Sequence, residues 1–149
     1  MREAIEIGGG EVMTASMGQT ETNSGTITME EIYQTNPDMI LLSNFDSFVP
    51  DDIYDNRIPG QDWSSLKAVK NRRVYKVPMG IYRWDAPGVE TPLMMKWIAS
   101  LLQPEIFKDI HVREDTKAFF SDFMKYNLTE DDLSVIFADD ANQRSVPFN

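Results

Sequence analysis

The stretch from Trp63 to Trp84, WSSLKAVKNRRVYKVPMGIYRW, decides the fold class. Leu66 and Val69 lie three apart, as on one face of a helical turn. Asn71-Arg72-Arg73 breaks that pattern. Val74, Tyr75 and Val77 are the β-branched and aromatic residues that suit a pleated, half-buried surface. Pro78 and Gly80 then stop the strand. Met79-Gly80-Ile81-Tyr82-Arg83-Trp84 gathers apolar and aromatic area around one cation. In an open α/β sheet, ligands collect beyond the carboxyl ends of the strands. Tyr82, Arg83 and Trp84 are therefore candidate ligand contacts, offering two flat apolar faces beside a fork of donors that suits anionic or carbonyl oxygens. The plainer interpretation is a packing cluster with a cation–π contact.

Upstream, Thr28 opens a helix with complete start signals. Thr28 and Glu31 form a capping box, and Ile27 and Ile32 are spaced as a hydrophobic staple. Pro37 ends that helix, and Met39-Ile40-Leu41-Leu42 reads as a short buried parallel strand. Ser43 to Phe48 leaves this strand, which makes Asn44, Phe45 and Phe48 a second set of candidate ligand contacts. Pro50-Asp51-Asp52 suits a further helical turn, and Ile58-Pro59-Gly60 a connector. Near the start, Glu3 to Ile7 reads as a helix stopped by Gly8-Gly9-Gly10, Val12 to Thr14 as a very short strand, and Ser16 to Thr26 as a polar loop.

Downstream, Thr91 is placed to cap a helix with Pro92 at its first position. Leu93, Met94, Trp97, Ile98 and Leu101 form its apolar stripe. A second helix, from about Arg113 to Tyr126, carries the stripe Phe119, Phe120, Phe123, Met124. A last short helix starts at Thr129, with Asp132 in the place of the usual glutamate and Leu128 and Leu133 as staple. Residues 138–149 are polar and read as an extended or disordered tail. The expected architecture is α/β, a small, mostly parallel sheet flanked by helices. A sheet lacking its first strand would leave an unpaired edge able to recruit another copy.

Composition narrows the function classes. The chain has 149 residues, a net charge of −10 and no cysteine. Length fits one domain with its own core. A strongly acidic balance with scattered Lys and Arg argues against nucleic acid. Thiol catalysis, disulfides and cysteine-based zinc sites are excluded. No segment has transmembrane length, and MREAIEIGGG is no signal peptide. His111, the only histidine, lies between Ile110 and Val112 and reads as solvent-facing or capping. The pairs Asp51-Asp52, Asp131-Asp132 and Asp139-Asp140 fit helix first turns or a solvated tail, and Asp51 to Gly60 lacks calcium-loop spacing. Triple glycine without GxGxxG or GK[ST] is no phosphate loop. No catalytic residue and no protein-held metal are expected.

Three segments, in order, resemble one family. WSSLKAVKNRRVYKVP is similar to W-x-x-L-x-A-V-K-x-x-R-V-Y-x-V-P of the substrate-binding proteins that deliver ferric siderophores, haem or cobalamin to ABC importers. ITMEEIYQTNPDMILLS resembles that family's I-S-x-E-x-x-x-x-x-N-P-D-x-I element, and WDAPGVETPLMMKWIASLLQPEIF its last long helix with a P-E-x-F turn. The matches span roughly Ile5 to Phe137 and correspond to the C-terminal lobe of a two-lobed protein. The resemblance implies residues 1–137 as that lobe, an N-terminal lobe elsewhere in a longer extracytoplasmic precursor, and ABC permease subunits as partners. It implies no intrinsic cofactor, the metal chelate being cargo. It also implies that Glu30, and more weakly Glu90, sits on the outer surface and pairs with permease arginines. Without the resemblance, Glu30 merely complements a helix dipole, worth about 0.3–1 kcal/mol. A stand-alone α/β interaction domain and a small enzyme on the same scaffold are the alternatives.

Overall fold

The computed structural model describes residues 1–12 and 27–147. The element order is α1 Arg2–Ile7, α2 Met29–Thr35, β1 Ile40–Leu42, α3 Pro50–Tyr54, α4 Lys67–Lys70 and β2 Val74–Lys76. It continues with α5 Thr91–Leu102, α6 Val112–Phe119, a π-helical turn Phe120–Met124, α7 Glu130–Ile136 and α8 Asp139–Asn142. The fold is α/β, with a small parallel sheet flanked by helices. The short strand and polar loop expected over Val12 to Thr26 fall mainly on residues outside the described ones. Among the described residues, one compact unit draws on Met1–Gly10 and Val77–Asp140, the other on Glu11–Lys76 and Ala141–Val146.

The second of these units holds the sheet. Thr28 and Glu31 close the capping box at the start of α2: the Thr28 N–H donates to Glu31 Oε2 at 2.8 Å and the Glu31 N–H to Thr28 Oγ1 at 3.3 Å. Asn36 ends the helix in a left-handed conformation, at φ 43°, a geometry that asparagine tolerates better than most residues. The chain then enters β1, which pairs with β2 in parallel, Ile40 opposite Val74, Leu41 opposite Tyr75 and Leu42 opposite Lys76. Beneath the strands, Ile53, Ile58, Leu66, Ala68, Val69 and Val74 form a core, joined by Ile32, Ile40, Leu42, Tyr54 and Trp63.

The other edge of β2 is closed by side chains. The Val74 N–H donates to the Tyr54 hydroxyl at 3.2 Å, and the Ser145 hydroxyl donates to the Val74 carbonyl. The Lys76 N–H donates to Asn142 Oδ1 at 2.7 Å, and Asn142 Nδ2 donates back to the Lys76 carbonyl at 3.1 Å. A strand edge satisfied in this way offers no ladder to another chain. The segment that does this was expected to be an extended or disordered tail; instead Asp139–Asn142 is helical, and Arg144 bonds Asp51 and Asp55. That Arg144 hydrogen bond holds the Asp55 carboxyl below its ordinary value. Sequence polarity misleads here because the segment buries hydrogen bonds rather than apolar area. Residues 148–149 lie outside the described ones.

In the other unit, α1 packs against α5. The expected stripe of α5 is buried in full: Leu93, Met94, Trp97, Ile98 and Leu101. Thr91 is the first helical residue rather than the cap, and its hydroxyl accepts from the Gly88 N–H at 2.9 Å. The stripe expected on the following helix is not continuous. After Phe119 the backbone widens to a π-helical turn, which rotates later side chains away from the 3.6-residue face. Val112, Thr116 and Phe120 are buried, while Phe123 is 72% exposed. The Thr129–Asp132 capping box of α7 forms as expected.

Tyr75 shows how firmly the 141–146 segment is held, its hydroxyl donating to the Val146 carbonyl at 3.0 Å. Burial pushes the Tyr75 phenol up to about 12 from its ordinary 10.0. A pKa raised by folding stabilises the fold fully below the unfolded value, and that contribution is lost as pH rises through the folded one. Tyr75 therefore contributes an alkaline loss of stability between about pH 10 and 12. Urea titrations across that range should show a steeper fall for the wild type than for Tyr75→Phe; parallel curves would contradict it.

Candidate functional site

The candidate ligand residues occupy two loops, one in each unit. The first, residues 43–48, leaves β1. Phe45 is 78% exposed, Phe48 is exposed and Asn44 is half-buried. The loop folds on Ser43: the Asp46 N–H donates to its carbonyl at 3.2 Å and the Phe45 N–H to its hydroxyl at 3.1 Å. Lys76, at the end of β2, sends its ammonium to the carbonyls of Ser43, Asp46 and Phe48 at 2.8, 2.6 and 3.0 Å.

The second loop runs from Pro78 to Trp84, in the other unit. It is a tight reversal in which the Trp84 N–H donates to the Pro78 carbonyl at 3.1 Å and the Gly80 N–H to that of Tyr82 at 3.1 Å. Its base is tied to α7 by the Met79 N–H, 2.9 Å from the Ile136 carbonyl. Met79, Ile81 and Tyr82 are each more than half exposed. They form the apolar tip.

Trp84 does not join that tip. It is 2% exposed, with its ring edge-on to Phe137 at 5.5 Å, so it supports the loop from within rather than offering a face to a ligand. Glu90 is also corrected: at 4% exposure it cannot reach a permease. One of its oxygens accepts from the Tyr82 N–H at 3.0 Å, the other from the Trp84 indole N–H at 3.2 Å. An ionised carboxylate is acceptor-only, so both oxygens can serve two donors at once. The same carboxylate lies over Gly80, where an added Cβ would stand 1.9 Å from Glu90 Oε1. A side chain at 80 would have to displace that carboxylate.

Arg83 is half-buried, and its Nε lies 3.3 Å from Asp85 Oδ1, with the guanidinium carbon 5.9 Å from the centre of the Tyr82 ring. Asp85 is thus an ion-pair partner of this guanidinium. The arginine therefore shapes the loop as well as facing Tyr82. Sequence reasoning placed Met79 and Ile81 in the apolar stretch without naming them as contacts, and missed Asp85 as the partner of Arg83 and Lys76 as the anchor of the other loop. A signal for the first two existed, apolar residues flanking a glycine just after a strand. The charged partners carried none.

Glu30 is exposed on the first turn of α2, as expected of either role weighed for it. His111 is exposed just before α6. Among the described residues, no group of three or more His, Asp or Glu side chains is placed to hold a metal, and no helix is long and apolar enough to cross a membrane.

No family model matches the chain. Among solved structures, it is similar to a periplasmic solute-binding protein from Veillonella parvula, 49% identical with a TM-score of 0.86, over 95% of this chain and 42% of that one. An ABC transporter solute-binding protein from Sulfurospirillum deleyianum is 27% identical, TM-score 0.70, over 91% of this chain and 41% of that one. A TroA-like periplasmic binding protein, FepB, from Veillonella parvula shares the fold at 21% identity, TM-score 0.61, over 85% of this chain and 39% of that one. By sequence, the molybdate-binding protein MolA of Haemophilus influenzae is 23% identical over 110 residues, 72% of this chain and 30% of that protein.

The Glu90 brace predicts how the 78–84 loop responds to substitution. Gly80→Ala should cost about 1–3 kcal/mol, the range for forcing extra volume into packed structure. Glu90→Gln turns one acceptor towards a donor as an NH2 group, and should cost about 1–3 kcal/mol. Trp84→Phe removes one of the two donors, so Glu90→Gln should cost less in that background. A double-mutant cycle by chemical denaturation measures this, and additive costs would refute the shared carboxylate. The chain spans about two fifths of the length of each solved neighbour, and over that part it is similar to periplasmic and ABC-transporter solute-binding proteins.

Proposed function

We propose that the chain is the C-terminal lobe of the substrate-binding component of an ABC importer, non-catalytic and extracytoplasmic, with a metal chelate such as a ferric siderophore or haem as its ligand. The observation that carries the reading is the 49% identity to a periplasmic solute-binding protein across 95% of the chain. In this reading the chelate is held between the lobe and an N-terminal lobe, and the closed protein docks on permease subunits, with Glu30 as the carboxylate on this side. The metal is cargo and no cofactor is resident.

Two features favour a bulky chelate. Met79, Ile81 and Tyr82 in one loop, and Phe45 and Phe48 in the other, expose apolar area of the kind that covers a ligand's hydrophobic surface. Arg83 is already engaged by Asp85, which leaves it less charge to spend on a bare anion. Molybdate is the competing ligand because MolA is named for it. A small oxyanion needs converging donors, and the exposed tips are apolar instead.

Calorimetric titration of the chain with ferric siderophores, haem, cobalamin and molybdate tests the reading. One lobe supplies part of the pocket walls, so the chain alone should bind any of them weakly or not at all. A protein carrying both lobes should bind one chelate at least a hundredfold more tightly, a gain of about 2.7 kcal/mol. Micromolar binding by the lone chain would overturn the half-pocket reading, and tight binding of molybdate with no chelate bound would overturn the ligand class.

A further inference from the structure

We infer that Lys76 is a positioning residue, a tethered cation whose ammonium sets the shape of loop 43–48. The inference concerns the loop's conformation; its link to binding rests on the proposed function. An ammonium has three N–H donors and no acceptor, and Lys76 presents it to three backbone carbonyls, those of Ser43, Asp46 and Phe48 at 2.8, 2.6 and 3.0 Å. Each of its three N–H donors can meet one of these carbonyls. Carbonyl dipoles aimed at one point repel one another, so this arrangement of the loop depends on a positive charge at its centre.

The position of that charge follows from the sheet. Lys76 stands opposite Leu42 in the parallel register, and Ser43 follows Leu42 directly. Its own N–H and carbonyl are both held by the Asn142 side chain. The stem therefore starts from a fixed point and reaches both ends of the loop, from Ser43 to Phe48. Two internal bonds return to Ser43, and the ammonium ties Asp46 and Phe48 to the strand as well. Phe45 and Phe48 are thereby carried on a backbone three of whose carbonyls converge on the Lys76 ammonium.

The chemistry is specific to a compact ammonium. A methionine would match the stem and leave three carbonyls without their donor. An arginine keeps the charge, but its planar fork cannot aim three N–H bonds at oxygens surrounding one point. A free monovalent cation can occupy a ring of backbone carbonyls. Shortening the side chain to alanine should accordingly open a site for potassium or a small alkylammonium ion.

Hydrogen exchange read by mass spectrometry or NMR on the whole chain tests this. Lys76→Met and Lys76→Arg should each speed exchange of the loop amides by about tenfold or more, through lost charge-assisted bonds, while amides of α5 keep their protection. Lys76→Ala should show the same loss, reversed by added potassium chloride or methylammonium chloride but not by tetramethylammonium chloride, which has no N–H and is too large. Unchanged loop exchange in Lys76→Met and Lys76→Arg, or an equal response of Lys76→Ala to all three salts, would overturn the inference. Ligand titration in a two-lobed protein separates it from the functional reading. A loosened loop with unaltered chelate affinity upholds the Lys76 assignment and removes loop 43–48 from the ligand wall.

Discussion

The parallel register of β1 and β2 is the constraint on which the sheet-bearing unit depends. Each strand has three residues, too few for a pair to persist alone in water. The pair survives because its core face and the outer edge of β2 are occupied. Val74 is buried in the core below, Ile40 and Leu42 pack on that core, and side chains of Tyr54, Asn142 and Ser145 close the far edge of β2. A slip of one residue would turn Val74 outward and Tyr75 and Lys76 to the wrong faces. Register thus fixes the core and the origin of the Lys76 side chain together.

A common device supports both loops that carry candidate ligand residues. Each is held by one acidic or basic side chain that serves several backbone or ring N–H or carbonyl partners: Lys76 for residues 43–48, Glu90 for residues 78–84. Their signs differ because their tasks do. A loop whose carbonyls converge needs a cation, and a loop that turns N–H groups inward needs an anion. Hydrogen bonds to charged groups are worth about 1.5–3 kcal/mol, more than neutral ones. Short loops without a core of their own gain order from this, and a loop already ordered gives up less entropy when it meets a ligand.

Local grammar was readable in the sequence wherever it is written in neighbouring residues. The capping boxes at Thr28 and Thr129, the apolar run into β1, the Val74–Tyr75 strand and the buried stripe of α5 are all of this kind. Failures share a cause as well. Whether Glu90 faces a permease or an indole N–H, and whether Trp84 faces a ligand or Phe137, depends on partners that are set by the fold. The polar residues after 138 carry no apolar signal, yet Asn142 completes the β2 edge 66 residues away in sequence. The π-helical turn at Phe120 changes the period at which apolar residues must recur, so a stripe counted at 3.6 residues overruns it.

These outcomes change what can be asked of Arg83. As a lone guanidinium at a loop tip it would be an anion receptor by default. Beside Asp85 it is half of an ion pair, and any oxygen approaching it competes with a carboxylate already in place. The chain as a whole carries a net charge of −10, a field that repels small anions further. Under the proposed function, the energy of holding a ligand on this lobe then falls to the apolar tip of Met79, Ile81 and Tyr82. Selection by surface shape and apolar area suits a metal enclosed in an organic shell better than a bare ion, because only the shell has such surface to bury. Under the same proposal, Lys76 and Glu90 each hold their own loop in shape, and the exposed apolar side chains recognise by contact.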